Sequence, residues 1–349
     1  MKAVGYTRSL PIDDPDSLTD IELEQPVATG RDILVRVKAI AVNPVDYKIR
    51  QRAEAAEGEY KVIGWDAVGE VVDTGDEATQ FKPGDMVYYA GDLNRQGCNA
   101  EYQLVDERIV GVKPKSLSEA EAAALPLTSI TAWELLFEHL AIKQRATASA
   151  EKSDEVILII GAAGGVGSIL IQIVKAITGA TVIATASRES SQAWVKKLGA
   201  DHVIDHTKPL KPQVDTLIED EGIGSVTHIA SLNGTGTYFE SYPELLAPFG
   251  KIVMIDDPGE PLDVMKLKLK SQSLHIEFMF ARSMFDTSDM DEQGKLLNRV
   301  ADLVDKGYIQ TTSGKNLGSI NADNLKAAHA ELESGKAIGK IVLEGFASS

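Results

Sequence analysis

The run Gly161-Ala162-Ala163-Gly164-Gly165-Val166-Gly167 lies between five consecutive aliphatic residues, Val156 to Ile160, and a segment with apolar residues at 166, 169, 170, 173, 174 and 177. The first flank has the pattern of a strand covered on both faces, the second that of one face of a helix. A strand, a bend of small residues and a helix together form the turn that receives a dinucleotide. Missing side chains let the backbone approach the pyrophosphate, and the helix start offers free amides and the positive end of its dipole. Against the spacing G-x-G-x-x-G the register falls on Ala162, Gly164 and Gly167, with alanine in the first place. Ala163, Gly164, Gly165, Val166 and Gly167 are therefore the expected phosphate-binding residues.

The next strand signal, Thr181 to Ala186, ends in Ser187-Arg188, with no carboxylate before Glu189. NAD sites usually place an acidic residue there for the ribose hydroxyls, whereas NADP sites need room and positive charge. The cofactor predicted is NADPH, with Ser187 and Arg188 on the 2′-phosphate; a solvated surface position is the competing reading of Arg188. His206 follows the third strand, where it can approach the adenosine phosphate. Asn233-Gly234 and Ile255-Asp256 end the fourth and fifth strands, and ligands bind outside the carboxyl ends of such strands, so both loops are assigned to the nicotinamide half.

These residues need a scaffold. From Glu155 onward apolar strands alternate with amphipathic helices, which predicts βαβ units on a parallel sheet. Before residue 119 the text is β-rich: Ile33 to Val42 alternates apolar and charged residues, and glycines at 64, 69, 75 and 84 punctuate short strands. A small irregular β-barrel is expected there, then a linking helix after Pro126. The tail carries an apolar strand LHIEFMF, helices near 292–306 and 321–334, and a last strand GKIVLEG. The expected domains are 1–122, 123–270 and a return segment, 271–349, completing the sheet edge and the first domain. With 349 residues, 44% hydrophobic and 25% charged, the composition is that of a soluble two-domain enzyme. The net charge of -17 disfavours nucleic acid and anionic membranes as partners. No apolar run reaches the roughly 18 residues of a membrane span, and a cytoplasmic protein is expected. Cys98 is the only cysteine, which excludes an internal disulfide and a multi-cysteine zinc site.

The blocks VNPVDYKIR, IGWDAVGEVVDTG, FKPGDMV, ALPLTSITAWELL, AAGGVGS, KLGADHVID and GKIVLE follow one another along the chain. In that order the whole sequence resembles the medium-chain dehydrogenase/reductase superfamily. The resemblance implies an α/β fold: a GroES-like β-barrel catalytic domain built from both termini, plus a Rossmann domain with a doubly wound parallel sheet, the active site lying in the cleft. In the zinc-containing alcohol dehydrogenases a Cys stands in the first block and Gly-His-Glu in the second. Here Asn43 replaces the Cys, Trp65 and Asp66 take the His and Glu positions, and AAALPL offers no ligand after Glu121. The likeness is thus to the zinc-free quinone oxidoreductase branch, which includes proteins labelled zinc-type alcohol dehydrogenase-like, and no metal is expected. Without a Lewis acid an unactivated alcohol has little help in losing its proton, whereas an electrophilic acceptor takes hydride unaided. The implied activity is NADPH-dependent reduction of a quinone, enal or enone by a homodimer. Two other readings stand beside it: a zinc-dependent alcohol dehydrogenase with unusual ligands such as Asp66, and a non-catalytic NADPH-binding protein.

By the same resemblance Asn43 donates a hydrogen bond to the acceptor carbonyl, and Tyr47 is a lid or proton donor. Turn formation by Asn43-Pro44 and simple packing of Tyr47 compete with these roles. An ionised Asp46 only accepts hydrogen bonds, which suits a structural part. Trp65 either lines an apolar acceptor pocket or plugs the space left by the missing ligand. Thr131 either approaches the nicotinamide or caps a helix. Lys340 is expected to close the cleft at the cofactor. Phe278, Phe280 and Arg282 either border the cofactor or belong to a strand paired across a dimer.

Overall fold

The computed structural model describes residues 1–145 and 152–346. The chain divides into two compact units, Met1–Ile130 together with the chain from Phe280 onward, and Thr131–Met279. Expected at 122/123 and 270/271, the boundaries lie at 130/131 and 279/280, because the strand Ser273–Ile276 still pairs with Leu246–Met254. The first boundary falls inside the helix Pro126–Glu134.

In the first unit the long strand Asp32–Val42 is the centre of a seven-stranded sheet. It pairs antiparallel with Ala67–Thr74, with Tyr102–Asp106 and with the last strand, Lys340–Glu344. That last pairing sets Ile341 opposite Val42 and so brings Lys340 beside Asn43. Both ends of the chain thus build one unit. At the end of Asp32–Val42 the helix Pro44–Arg52 begins, with Pro44 in its first turn, where a missing amide costs nothing. Its Arg50 is fully buried and bonds the Leu10 carbonyl and Glu333 of the helix Ala322–Glu333.

The second unit holds six parallel strands, in the order His202–Ile204, Thr181–Thr185, Val156–Ile160, Val226–Ser231, Leu246–Met254, Ser273–Ile276. Numbered along the chain this is 3-2-1-4-5-6, the Rossmann order, and the order reverses beside the first strand. Val156, Leu158 and Ile160 share one core with Ile183, Ile229 and Ile252 and with Leu210 and Val214. One local expectation changes, and one helix appears that the sequence reading did not name. The run LHIEFMF is strand only as far as Ile276. The helix Leu210–Glu221 was not apparent because Pro212 reads as a breaker, although it stands in the first turn, where proline is tolerated. Among the described residues no helix is long and apolar enough to cross a membrane.

The helix Gly165–Ile177 closes tightly on the bend that leads from the strand: a methyl added to Gly167 would stand 2.4 Å from the Ala162 carbonyl oxygen. Gly167→Ala is expected to lower stability by about 1–3 kcal/mol, read as a lower urea midpoint. An unchanged midpoint would show that helix and bend do not approach so closely.

Candidate active site

In the first unit Asn43, Asp46, Asp66 and Lys340 are buried together, none more than 3% exposed. The Asp66 carboxylate is their hub. Its Oδ2 accepts from Lys340 Nζ at 2.8 Å and from Asn43 Nδ2 at 2.8 Å, and its Oδ1 accepts from the Leu127 amide at 2.7 Å. Lys340 Nζ also donates to the Val42 carbonyl at 3.0 Å and to Asn43 Oδ1, so each of its three N–H bonds has a protein acceptor. The Asn43 amide further donates to the Trp65 carbonyl at 3.3 Å. Both ends of this side chain therefore face inward. Such pairing is what makes a buried charge tolerable, since an isolated one costs several kcal/mol or more. Burial pushes the Asp66 carboxyl up from its usual range, while Lys340 and the Leu127 amide pull it down.

Asp46 lies one turn into the helix Pro44–Arg52. Its Oδ2 accepts from the Asn43 backbone N–H at 2.6 Å, and its buried Oδ1 has no hydrogen-bond partner. Burial pushes its carboxyl up to about 7, with the Asn43 amide and Lys340 acting against the shift. Trp65 is fully buried, its indole N–H on the Asp92 carbonyl at 3.2 Å and its ring edge-on to Phe280 at 6.3 Å. Tyr47 is half-buried on the same helix as Asp46. Cys98 is buried with its thiol on the Asp66 carbonyl at 3.4 Å, and burial raises its pKa, which leaves it unreactive. Residues 43, 65 and 66 are thus an inward-turned amide, an indole and a carboxylate engaged by three donors. Among the described residues no group of three His, Cys, Asp or Glu side chains is placed to hold a metal ion.

In the second unit the expected cofactor residues gather at the carboxyl ends of the strands. Gly161, at φ 78°, turns the chain out of the first strand, and its amide donates to Thr185 Oγ1 at 3.1 Å. The first bond of the following helix runs from the Ser168 amide to the Gly164 carbonyl at 2.9 Å, so the amides of Gly165, Val166 and Gly167 precede the ladder. Beside them Ala163 is half-buried. A methyl on Gly164 would meet nothing nearer than the Gly161 carbonyl oxygen at 3.5 Å. The space before the helix is open, as an approaching phosphate requires. Half-buried Ser187 and exposed Arg188 lead into the helix Glu189–Lys197. The His206 ring lies edge-on to Tyr238 at 6.4 Å, and its buried Nδ1 lacks a protein partner. Asn233 is exposed, and a methyl on Gly161 would touch its Cβ at 3.3 Å, which places that loop against the bend. The Ile255 amide bonds the Ser231 carbonyl at 3.3 Å. An open cradle, amides ahead of the ladder and an orphan ring nitrogen fit a dinucleotide.

Of the residues singled out from sequence, Asn43 and Trp65 stand with Lys340 in the first unit, while Thr131, buried in Pro126–Glu134, and the remaining cofactor residues belong to the second. Lys340, expected at the cofactor, is engaged by Asp66. Thr185 and the Leu127 amide were not anticipated. Thr185 left one sequence signal, a hydroxyl closing an otherwise apolar strand.

Residues 29–116 match the alcohol dehydrogenase GroES-like domain, and residues 165–295 match the family described as zinc-binding dehydrogenase. With this fold and these matches, the chain belongs to the medium-chain dehydrogenase/reductase superfamily of oxidoreductases. It is 40% identical over 98% of its length to a zinc-type alcohol dehydrogenase-like protein of Staphylococcus aureus strain MSSA476, covering 99% of that protein. It is 30% identical to the 2-methylene-furan-3-one reductase of Solanum lycopersicum, over 98% of this chain and 79% of that one. A solved structure from Rhizobium etli CFN 42, classed with the zinc-dependent alcohol dehydrogenases, superposes with a TM-score of 0.93 at 52% identity, covering 100% of this chain and 99% of that one.

Asp66→Asn or Lys340→Met alone is expected to cost about 3–5 kcal/mol, since each leaves a buried charge without its partner, and the double substitution less than the sum. Chemical denaturation of the three variants reads the coupling; strict additivity would contradict the pairing. For Asp46, a folded pKa of about 7 lies above that of the unfolded chain, so the native state binds the proton more tightly. Its contribution to stability is full below about pH 4 and is lost as pH rises towards 7. Asp46→Asn is expected to gain on the parent by up to about 3 kcal/mol between about pH 5 and 8. Urea unfolding at the two pH values checks this, and a pH-independent difference would assign the proton elsewhere.

Proposed function

We propose that this chain is an NADPH-dependent reductase of quinones or α,β-unsaturated carbonyls that works without a metal. The observation that carries the reading is the closed Asp66–Lys340–Asn43 cluster. A catalytic zinc needs free lone pairs on the residues at 43 and 65–66, and there Trp65 has no ligand atom, the Asn43 oxygen accepts from Lys340, and the Asp66 carboxylate already accepts from three donors. NADPH, when bound, supplies a hydride, which an acceptor polarised by its own carbonyl takes without a Lewis acid.

The chain's residues then bind and position. The Gly165, Val166 and Gly167 amides, with the positive helix end, hold the pyrophosphate in the space left at Gly164. Ser187 and Arg188 hold the 2′-phosphate, and His206 offers Nδ1 towards the adenosine phosphate. The loops of Asn233 and Ile255 take the nicotinamide half. Asn43, Tyr47, Trp65 and Thr131 are assigned to the acceptor side. Asn43 serves as a donor there only when its amide is released from Asp66, Tyr47 holds the proton that follows the hydride, and Trp65 supplies apolar surface. The 30% identity to a furanone reductase supports the enone end of the substrate range. A cytoplasmic homodimer completes the proposal, and its dimer part is supported by the exposure of Ile276 (66%) on the edge strand and of Phe278 (50%) just past its end.

An NADPH-oxidation screen over quinones, enals and enones tests the reading, with kcat/KM for NADPH expected to exceed that for NADH by about tenfold or more. Gly164→Ala is expected to melt like the parent yet raise KM for NADPH by roughly tenfold. A screen in which no acceptor accelerates oxidation, or in which NADH serves better, would refute the proposal.

A further inference from the structure

At the ends of the fourth and fifth strands, four side chains, three of them buried, form a hydrogen-bonded chain that none of the roles above uses. The Asp256 carboxylate accepts from the Thr235 backbone amide at 3.0 Å and from the Thr235 hydroxyl. Ser231 Oγ stands 2.7 Å from Thr235 Oγ1 and 2.7 Å from Tyr242 Oη. Ser231, Thr235 and Tyr242 are each fully buried. The direction of every bond follows from the first, because a carboxylate only accepts. The single hydroxyl hydrogen of Thr235 is committed to Asp256, so Ser231 must donate to Thr235, and Tyr242 must donate to Ser231. Burial raises the Tyr242 phenol far enough to keep it the donor.

This chain joins two loops that also meet through their backbones. A methyl on Gly236 would stand 2.2 Å from the Pro258 carbonyl oxygen, so the two segments approach as closely as glycine permits. On its other side, Asn233 packs against Gly161 at the start of the phosphate bend. A continuous line of contacts therefore runs from the bend, through 233–236, to 256–258.

We propose that Asp256, acting through Thr235, is a positioning residue for the nicotinamide half of the dinucleotide. It fixes the loops of Asn233 and Ile255 against the bend, while the adenosine half is left to Ser187, Arg188 and His206. The proposal rests on the cofactor reading above. Small displacements of a reacting ring cost more in rate than in affinity, which is why such a clasp belongs at this end of the ligand.

The test uses the full chain with Asp256→Ala, Thr235→Val and Thr235→Ser, each checked for folding by circular dichroism. NADPH affinity is measured by calorimetry, and immobilisation of the nicotinamide by the fluorescence of the bound ligand. Asp256→Ala and Thr235→Val are expected to bind NADPH within about threefold of the parent yet lose roughly half or more of its fluorescence gain. Thr235→Ser, which keeps the hydroxyl, retains the gain. If Asp256→Ala fails to fold, Thr235→Val against Thr235→Ser decides. A full gain in either loss variant overturns the proposal, as does an equal loss in Thr235→Ser, which would mark packing alone. Binding without any fluorescence gain in the parent also overturns it. A parent that does not bind NADPH overturns the cofactor reading and the clasp with it.

Discussion

A carboxylate with no solvent exposure has to be neutralised, and at Asp66 the neutralising charge arrives 274 residues later in the chain. The Asp66–Lys340 pair is the constraint around which the first unit is arranged. Only when Lys340–Glu344 has paired with Asp32–Val42 does the ammonium stand where the carboxylate needs it. Closing so long a loop costs only logarithmically in its length, whereas a buried charge left alone costs several kcal/mol. The same carboxylate orders other elements. Through Asn43 it holds the start of the helix that carries Asp46 and Tyr47, and through the Leu127 amide it holds the start of Pro126–Glu134, the helix of Thr131.

The Asp66 cluster and the glycine-rich bend handle polarity in opposite ways. In the first, donors and acceptors are spent on one another: three N–H bonds of Lys340 on three oxygens, and the Asn43 amide on Asp66 and Trp65. The second keeps polar groups at strand ends in reserve, with three amides ahead of a helical ladder and open space at Gly164. Under the proposed function, this division puts the charge-binding capacity in the unit that takes the nucleotide. That suits a reaction whose reducing power is carried by a cofactor and whose acceptor needs no metal to be activated.

What could be read from sequence follows the range of the interactions involved. The strand Val156–Ile160, the bend and the helix behind it are set by neighbours in the chain, and the parallel βαβ sheet follows from strand and helix alternation, whereas its Rossmann order is what the resemblance implies. The resemblance placed Asn43, Trp65 and Asp66 at one site, but the orientation of the Asn43 amide depends on Lys340, which no local pattern ties to it. Asp256 is legible as part of a strand-end loop facing the nicotinamide half, but its bond to Thr235 is not, because the two residues follow different strands. The helix Leu210–Glu221 was hidden by a proline whose position in the first turn shows only once the helix start is known.

The central claim is that the buried ammonium and its partners leave no role for a catalytic metal. The most direct measurement is the zinc content of the purified chain, taken alongside NADPH oxidation before and after exhaustive chelation. The account predicts substoichiometric zinc and an unchanged rate. Stoichiometric zinc that is lost together with activity would contradict it.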